Sequence, residues 1–450
     1  MKRRTFLQSS TVLAAAALLP GCATQSAISG TPGRLRTAHV GLGYQGREDM
    51  GAIASHPAVD VVALCDVDSK FLAEAQAQYP KARSYTDYRV MLDEMGDEID
   101  AVIVATPDHT HAPASLLAMG MDKPVYCQKP LTHHVAEARE MARVARDRKL
   151  VTQMGIQVHS FYDYRVATQL IQSGLIGKVR EVRAWSPKNW GYNGPAPTES
   201  DPVPETLNWD LWLGTAPDRP YVEERYHPSN WRQIVDYGCG TLGDMGVHIF
   251  DTPYNALALD VPLTIVNDCR PPSGYGFPEH NVVTYEFPGT AYTADTLKWV
   301  WYDGPGAPGE QPELELPNGD PLPEQGAIFY GETGKLLLPH FMQEPRLFVD
   351  GAYREIGTEI TAAAAALDLG EPVRNYATES PKHYHQFVDA CLGKDETSAP
   401  FSYASRLTEV ILLGVVAGRF PGETLHWDTD TARFAEDKAN EFLAGSYRAF

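Results

Sequence analysis

The sequence from Ala38 to Asp68, AHVGLGYQGREDMGAIASHPAVDVVALCDVD, decides the fold. It contains an apolar strand, a glycine turn, a helix, a second apolar strand and then an acidic residue. Gly41, Gly43 and Gly46 form a G-x-G-x-x-G turn, and Asp66 follows the last glycine by twenty residues. This order is typical of a βαβ unit that binds a dinucleotide, because the glycines admit a pyrophosphate and the helix N-terminus faces it.

The acid at position 66 indicates which dinucleotide is bound. Asp66 would accept hydrogen bonds from the ribose hydroxyls of adenosine, and its negative charge would repel a 2′-phosphate. We therefore expect NAD, with NADP disfavoured. Tyr44 and Gln45 lie inside the glycine turn and are further candidate contacts of the cofactor.

Length and charge limit the classes of partner. The chain has 450 residues, enough for two domains with sizeable cores, and a formal charge of −20 at pH 7. Nucleic acids and anionic membrane surfaces need a basic patch, so this balance argues against both. The cysteines show no C-x-x-C spacing, so the sequence indicates no zinc site. His109 and His111 could bind a metal, but hydrogen bonds to the cofactor account for them equally well. We predict no metal site.

Residues 1–30 are predicted to be an export signal rather than part of the fold. Lys2 to Gln8 contains a twin-arginine motif, and an apolar run from Val12 to Leu19 follows it. This pattern predicts a periplasmic protein. Leu19 to Cys22 resembles a lipobox, so Cys22 is a candidate lipid anchor, although proline before the glycine is unusual.

Alternating strands and helices predict a doubly wound parallel sheet, a Rossmann domain, over 35–155. Its strands should end together at one edge, which brings Thr106, Lys129 and Gln157 close to one another. From 156 to 430 the pattern changes to extended segments, which predict a substrate-binding and oligomerisation domain with a large, mostly antiparallel open sheet. Residues 431–450 are predicted to be a tail that packs on the core. The strands of the second sheet are expected at 178–185, 263–269, 281–287, 291–301 and 326–338.

A second informative stretch runs from Asp236 to His248, DYGCGTLGDMGVH. Asp244 and His248 are four residues apart, so on a helix they would project from the same side. A carboxylate beside an imidazole orients the ring and stabilises its protonated form, which suits a general base for a hydroxyl proton. A solvent-exposed ion pair is the alternative, but the nearby dinucleotide motif favours the catalytic interpretation.

These motifs together resemble the Gfo/Idh/MocA family, which includes glucose-fructose oxidoreductase and inositol dehydrogenase. The resemblance rests on the glycine turn at 41–46, Asp66, Lys129-Pro130 and the G-D-M-G-x-H segment at 243–248, and it covers roughly residues 35 to 430. It implies a nicotinamide-dependent oxidation or reduction of a sugar or cyclitol hydroxyl. It also implies a homo-oligomer formed through the C-terminal sheet.

Site roles are carried over from the family residue by residue. Lys129 corresponds to its active-site lysine, and Asp244 and His248 correspond to its catalytic acid–histidine pair. The family usually has glutamate before the lysine, whereas this chain has Gln128. If that removes a negative charge from the neighbourhood, Lys129 would share proton transfer with His248. The remaining candidates are Thr106, Pro107, His109, His111, Gln128 and Gln157 for the cofactor, and Tyr226, His227, Trp231 and Arg232 for the substrate.

The leading functional prediction is an NAD-dependent hydride transfer between a tightly bound cofactor and a carbohydrate substrate. An exported enzyme would have to regenerate its cofactor in place, which leaves two routes. A second substrate reverses the transfer, or a glycoside is oxidised, cleaved by elimination and reduced again without net redox. A sugar-binding protein with NAD as structural filler is the third alternative, and it predicts that Lys129 and His248 are dispensable.

Overall fold

The structure, a computed structural model, describes residues 33–450. The predicted twin-arginine signal and the candidate lipid anchor at Cys22 lie outside the described residues. No helix within 33–450 has the length and apolar character needed to cross a bilayer.

The first unit is a six-stranded sheet in the order β3-β2-β1-β4-β5-β6. All its neighbouring strands are parallel, which confirms the Rossmann part of the predicted fold class. The strands are β1 (Leu35–Val40), β2 (Val59–Cys65), β3 (Arg83–Tyr85), β4 (Ala101–Val104), β5 (Val125–Cys127) and β6 (Thr152–Met154). The helices between them are α1 (Gln45–Ala54), α2 (Ser69–Gln78), α3 (Tyr88–Met95), α4 (Asp108–Gly120) and α5 (Val135–Arg148).

The central strands of this sheet are apolar because helices cover both faces. Every residue of β4 is buried, and β5 is likewise buried throughout. A parallel sheet covered on both sides needs a continuous apolar run rather than an alternating one. The C-terminal ends of β1, β4 and β5 therefore form the sheet edge at which a ligand can bind.

The second unit is a ten-stranded sheet in the order β14-β13-β12-β11-β7-β10-β9-β8-β15-β16. Its strand pairs are antiparallel except β7 with β10, which confirms the predicted mostly antiparallel sheet. The strands are β7 (Val179–Ser186), β8 (Thr264–Cys269), β9 (Asn281–Pro288), β10 (Thr293–Asp303), β11 (Gln325–Gly331), β12 (Lys335–His340), β13 (Arg346–Val349), β14 (Ala352–Arg354), β15 (Leu425–Asp428) and β16 (Arg433–Phe434).

The helices of the second half pack on both sheets. They are α6 (Tyr162–Gln172), α7 (Trp209–Leu213), α8 (Val247–Ala256), α9 (Gly357–Ala366), α10 (Tyr376–Cys391) and α11 (Phe401–Ala417). Helix α10 packs against α1, and α11 packs against α5, α8 and β8. The Rossmann unit is thus completed by helices from the far end of the chain.

One predicted strand is wrong in its extent. The segment 326–338 is a hairpin of β11 and β12, and Gly331 donates its amide hydrogen to the carbonyl of Gly334 at 2.9 Å to close the turn. The sequence prediction also lacked β13 to β16, which have two to four residues each and carry too little periodicity to be recognised.

The chain itself covers part of the outer face of the second sheet. The connection between β10 and β11 lays Leu314 and Leu316 over Trp185 and Ile328, and all four side chains are buried. The homo-oligomer expected through this sheet stays a prediction.

Candidate active site

A cleft of about 870 Å³ runs along the C-terminal edge of the first sheet and is closed on its other side by the second unit. It is lined by fourteen of the predicted site residues, which are far apart in the sequence. They are Gly41, Gly43, Tyr44, Gln45, Asp66, Thr106, Pro107, His111, Gln128, Lys129, His227, Trp231, Arg232 and Asp244.

The glycine turn is shaped for a phosphate group. Gly41 has φ +85°, and a Cβ atom there would lie 2.6 Å from the carbonyl oxygen of Ala105. A Cβ atom on Gly46 would lie 2.1 Å from the carbonyl oxygen of Gly41, so only glycine lets α1 pack this close to β1. Within residues 33–450, the amides of Tyr44 and Gln45 donate to no protein acceptor, as expected at a helix N-terminus that receives an anion.

Asp66 lies at the end of β2 and is buried at the cleft wall. One carboxylate oxygen accepts the amide hydrogen of Leu42 at 2.7 Å, and the other accepts that of Asp68 at 2.8 Å. Burial raises the pKa of Asp66 to about 6. The remaining lone pairs of this oriented carboxylate suit two ribose hydroxyls, so the turn and the acid together fit an NAD molecule.

A buried carboxylate that no sequence motif indicates, Asp49, is the centre of a network of predicted cofactor residues. Gln45 and Gln128 contact it directly, and Gln157 reaches it through Tyr384. Asp49 of α1 is fully buried and accepts hydrogen bonds from Gln45 Nε2 at 2.8 Å and Gln128 Nε2 at 2.8 and 3.0 Å. Tyr384 of α10 donates to it at 2.7 Å and accepts from Gln157 Nε2. Burial raises the pKa of Asp49 to about 6. Gln128 therefore belongs to a network that ties β5 to the nucleotide-binding helix.

Lys129 and Asp244 form the ion pair at the opposite end of the cleft from Asp66. Lys129 Nζ lies 2.8 Å from Asp244 Oδ1 and 3.2 Å from its backbone oxygen, and the two side chains are only 14% and 13% exposed. The expected effect of Gln128 on Lys129 required the two side chains to be close, and the structure does not meet that condition. Shared proton transfer by Lys129 stays a prediction. Asp244 places a negative charge beside Lys129. The side-chain amide nitrogen of Gln128 is bonded to Asp49 instead.

Trp190 and Arg232 complete the surroundings of Asp244. Trp190 Nε1 donates to Asp244 Oδ2 at 2.6 Å, and Arg232 Nε lies 3.4 Å from Oδ1. Burial alone would raise the pKa of Asp244, but Lys129 and Arg232 hold it well below its usual range. The carboxylate is thus ionised, and both of its oxygens are occupied by partners other than His248.

His248 lies close enough to Lys129 and Asp244 for both charges to act on it, and its catalytic role stays a prediction. A π-helical turn, Leu242–Gly246, precedes α8, and His248 is the second residue of that helix and is partly exposed. Within residues 33–450 its Nδ1 atom is buried and has no hydrogen-bond partner. Burial and the nearby charge of Lys129 hold the pKa of His248 well below its usual range. The imidazole is therefore neutral and is not oriented by Asp244.

Several other predicted residues support the cleft without lining it. Gly46 packs under the glycine turn, and Gln157 is bonded to Tyr384. His109 packs between Trp212 and Tyr237, and Tyr226 is 1% exposed in the same aromatic cluster. These four residues lie outside the cleft because close packing and hydrogen bonds hold them in the interior.

The indole side chains divide between core and cleft. Trp185, Trp299 and Trp301 are fully buried in the core of the second unit. Trp190 and Trp231 line the cleft beside Arg232, whose guanidinium lies 5.5 and 4.2 Å from their ring centres. Aromatic rings in such a position can pack against the C–H face of a sugar.

Loops of the second unit also hold the end of the cleft near Asp66. Ser69 donates its amide hydrogen to the carbonyl of Thr206 at 2.8 Å, and Asn208 donates to that of Val67 at 2.9 Å. His227 Nε2 lies 3.0 Å from Asp68 Oδ2. We call these contacts the clasp. It joins the long connection between β7 and α8 to the loop that follows Asp66, so both units enclose the nucleotide end.

No arrangement of three or more His, Cys, Asp or Glu side chains between residues 33 and 450 is suited to holding a metal ion. His111 instead lies 2.8 Å from the carbonyl oxygens of both Thr106 and Pro130, which joins the loops after β4 and β5.

Two family models match the chain in succession. A model described as "Oxidoreductase family, NAD-binding Rossmann fold" matches residues 35–156, and one described as "Oxidoreductase family, C-terminal alpha/beta domain" matches residues 162–272. Together they cover more than half of the chain. The protein belongs to the Gfo/Idh/MocA oxidoreductase family. Its Rossmann unit is the NAD-binding domain of that family.

Two relatives are similar to parts of this chain. Levoglucosan dehydrogenase of Pseudarthrobacter phenanthrenivorans is 23% identical over 225 residues, 48% of this chain and 50% of that protein. A glycosyl hydrolase family 109 protein of Stenotrophomonas maltophilia is 27% identical over 195 residues, 41% of this chain and 42% of that protein. The chain thus spans half or less of the length of these two relatives. The structure of a levoglucosan dehydrogenase with NADH and levoglucosan has a TM-score of 0.61 at 15% identity and covers 87% of this chain and 99% of that one, which shows the shared fold.

Gln128→Glu tests the network around Asp49. It places two buried carboxyl groups in contact and removes two hydrogen bonds, so we expect a loss of stability of about 1–3 kcal/mol at pH 7. A raised carboxyl pKa favours the folded state at low pH, so the loss should shrink as the pH falls below about 6. Urea unfolding at pH 5 and pH 8 measures both effects.

The double variant Asp49→Asn with Gln128→Glu is the matched control. The asparagine introduced at position 49 keeps an acceptor oxygen for Gln45 and Tyr384, and its amide nitrogen replaces Oδ2 and donates to the glutamate introduced at position 128. Stability should return towards that of the unmodified protein. A double variant as unstable as Gln128→Glu alone would contradict the proposed pairing.

Proposed function

We propose that this protein is an NAD-dependent oxidoreductase that transfers a hydride to or from a hydroxyl group of a sugar or related polyol. The observation that carries this proposal is one continuous cleft with Asp66 and the glycine turn at one end and the Lys129–Asp244 pair at the other. The levoglucosan dehydrogenase relative supports the substrate class.

The residues at the reacting end have separable tasks. Bound NAD would supply the hydride acceptor. Lys129, fixed by Asp244, places a positive charge where an alkoxide oxygen develops during oxidation, and such preorganised charge stabilises the transition state. Trp190, Trp231 and Arg232 would bind the sugar ring beside it.

The clasp supports tight retention of the cofactor. A nucleotide in this cleft contacts the loop after Asp66, and that loop is bonded to the second unit through Ser69, Asn208 and His227. Release of the nucleotide then requires these contacts to open. A retained cofactor must be returned to its starting oxidation state within the protein, as the predicted export would also require.

NAD-dependent glycoside cleavage is the second candidate. The observation that favours it is the similarity to the glycosyl hydrolase family 109 protein. Oxidation of a ring hydroxyl acidifies the neighbouring C–H bond, so a glycosidic bond can be eliminated and the ketone then reduced by the same hydride. Both candidates use the same cleft and the same cofactor.

One experiment tests the proposal and separates the candidates. The protein is denatured and the released nucleotide identified, and the intact protein is then given levoglucosan, glucose, myo-inositol and aryl glycosides. Keto-sugar with reduced cofactor supports the oxidoreductase, and cleaved glycoside with the cofactor still oxidised supports the hydrolase. Absence of bound nucleotide, together with no NAD binding, would refute both.

His227→Ala should weaken the clasp. Loss of the contact between His227 and Asp68 removes a hydrogen bond to a charged group, worth about 1.5–3 kcal/mol, so we expect NAD to dissociate roughly tenfold faster or more. The measurement is the rate at which bound NAD exchanges with labelled NAD. His426→Ala, which breaks an exposed His–Glu pair elsewhere, is the control and should leave that rate unchanged. Equal rates in both variants would contradict the clasp.

A further inference from the structure

The reacting end of the cleft carries more positive than negative charge. Lys129, Lys188 and Arg232 line it together with two carboxyl groups, Asp244 and Asp108. Asp244 is ionised, whereas burial raises the pKa of Asp108 to about 7, so a large fraction of that group is protonated near neutral pH. The whole chain has a formal charge of −20, so its overall composition does not account for this local excess of cations.

Asp244 does not satisfy the guanidinium group of Arg232. Its Oδ1 atom is 2.8 Å from Lys129 Nζ, and its Oδ2 atom accepts the indole hydrogen of Trp190 at 2.6 Å. Arg232 Nε stays 3.4 Å from Oδ1, and its Nη1 atom donates to the carbonyl of Ser229 at the same long distance. Its Nη2 atom donates to no acceptor between residues 33 and 450. The guanidinium group therefore keeps donors for a ligand.

Two indole rings hold Arg232 in place. The guanidinium lies 4.2 Å from the ring centre of Trp231 and 5.5 Å from that of Trp190, and the arginine side chain is 26% exposed. The Trp231 amide donates to the carbonyl of Tyr226, and that of Trp190 donates to Thr241 Oγ1, both at 2.8 Å. A guanidinium stacked in this way loses less freedom on binding a ligand than a mobile side chain would.

Lys188 adds a second cation beside the same ring. It follows β7, its side chain is exposed, and its Nζ atom lies 5.7 Å from the ring centre of Trp190. Within residues 33–450 it forms no ion pair. Because Lys188 and Arg232 both lie against Trp190, an anionic group that reached Arg232 would also be attracted by Lys188.

A neutral sugar would not match this end of the cleft. It would take water from Arg232 without giving the charge an anionic partner, and such desolvation is costly. We propose that the sugar substrate carries an acidic group, a uronate carboxylate or a sulfate ester, which binds Arg232 and Lys188. This inference rests on the proposed oxidoreductase function and names the substrate class. A guanidinium can form two parallel hydrogen bonds with either anion.

Selectivity between matched sugars tests the inference in the holoenzyme. We expect kcat/KM to be about 10–100-fold higher for glucuronate than for glucose, or for galacturonate than for galactose, because hydrogen bonds between charged groups are gained. The difference should lie mainly in KM, since the acidic group is not the reacting one. It should shrink as the salt concentration rises, because Lys188 is exposed.

Arg232→Gln should bring the ratio of the two kcat/KM values close to one. Arg232→Lys keeps the charge but loses the fork, so it should retain part of the ratio. Lys188→Met should lower the ratio by a smaller factor than Arg232→Gln does. A general loss of activity cancels, because both sugars are compared on the same variant. Lys335→Met, which removes another lysine beside an aromatic ring, in β12, is the control and should keep the full ratio.

Calorimetry provides a readout that does not need turnover. Glucose, glucuronate and glucose 6-sulfate are titrated into the NAD-loaded protein. Tighter binding of an acidic sugar supports the inference, and the tighter of the two identifies the group as carboxylate or sulfate. Binding of all three with equal affinity would overturn it, and so would a preference that survives in Arg232→Gln.

The two levels of the account can fail separately. Oxidation of neutral sugars without a preference for acidic ones would refute the acidic substrate and leave the proposed function standing. A calorimetric preference for an acidic sugar, with no sugar able to reduce bound NAD, would count against the proposed function and leave recognition of the acidic group established.

Discussion

The ion pair between Lys129 and Asp244 is the interaction on which the site depends. It joins the end of β5 in the Rossmann unit to the π-helical turn of the second unit. Burying two charges is costly, and the cost is offset only when the geometry is good and the other hydrogen-bonding positions are filled. Trp190 and Arg232 fill them at Asp244. The pair therefore links the two units at the reacting end of the cleft and fixes the position of the charge there.

The nucleotide end is likewise built by both units. Asp66 and the glycine turn come from the first βαβ unit, but Asp49 beneath them is held by Tyr384 of α10. The clasp through His227 closes the same end from the other side. A cofactor bound here would contact residues of both units, which is the basis of the proposed tight retention.

Local motifs could be predicted from the sequence, whereas partnerships across the chain could not. The roles of Gly41 and Gly46 follow from a few adjacent residues, and the structure shows the close backbone contacts that the motif implies. Asp49 looked like an ordinary helical acid because its partners, Gln128 and Tyr384, lie 79 and 335 residues away.

The active-site residues show the same limit. The spacing of Asp244 and His248 suggested a pair, but spacing does not show that Lys129, Trp190 and Arg232 compete for the same carboxylate. The fold class was predictable because it follows from long apolar strands, and β13 to β16 were missed because they are short.

The central claim is that Lys129 and Asp244 act as one unit during hydride transfer. A double-mutant cycle with Lys129→Met, Asp244→Asn and the combined variant measures this directly, with single-turnover reduction of bound NAD as the signal. If the carboxylate works by holding the ammonium group in place, the combined variant should be no slower than the slower single variant. Rate losses that multiply, as for two independent residues, would contradict the account.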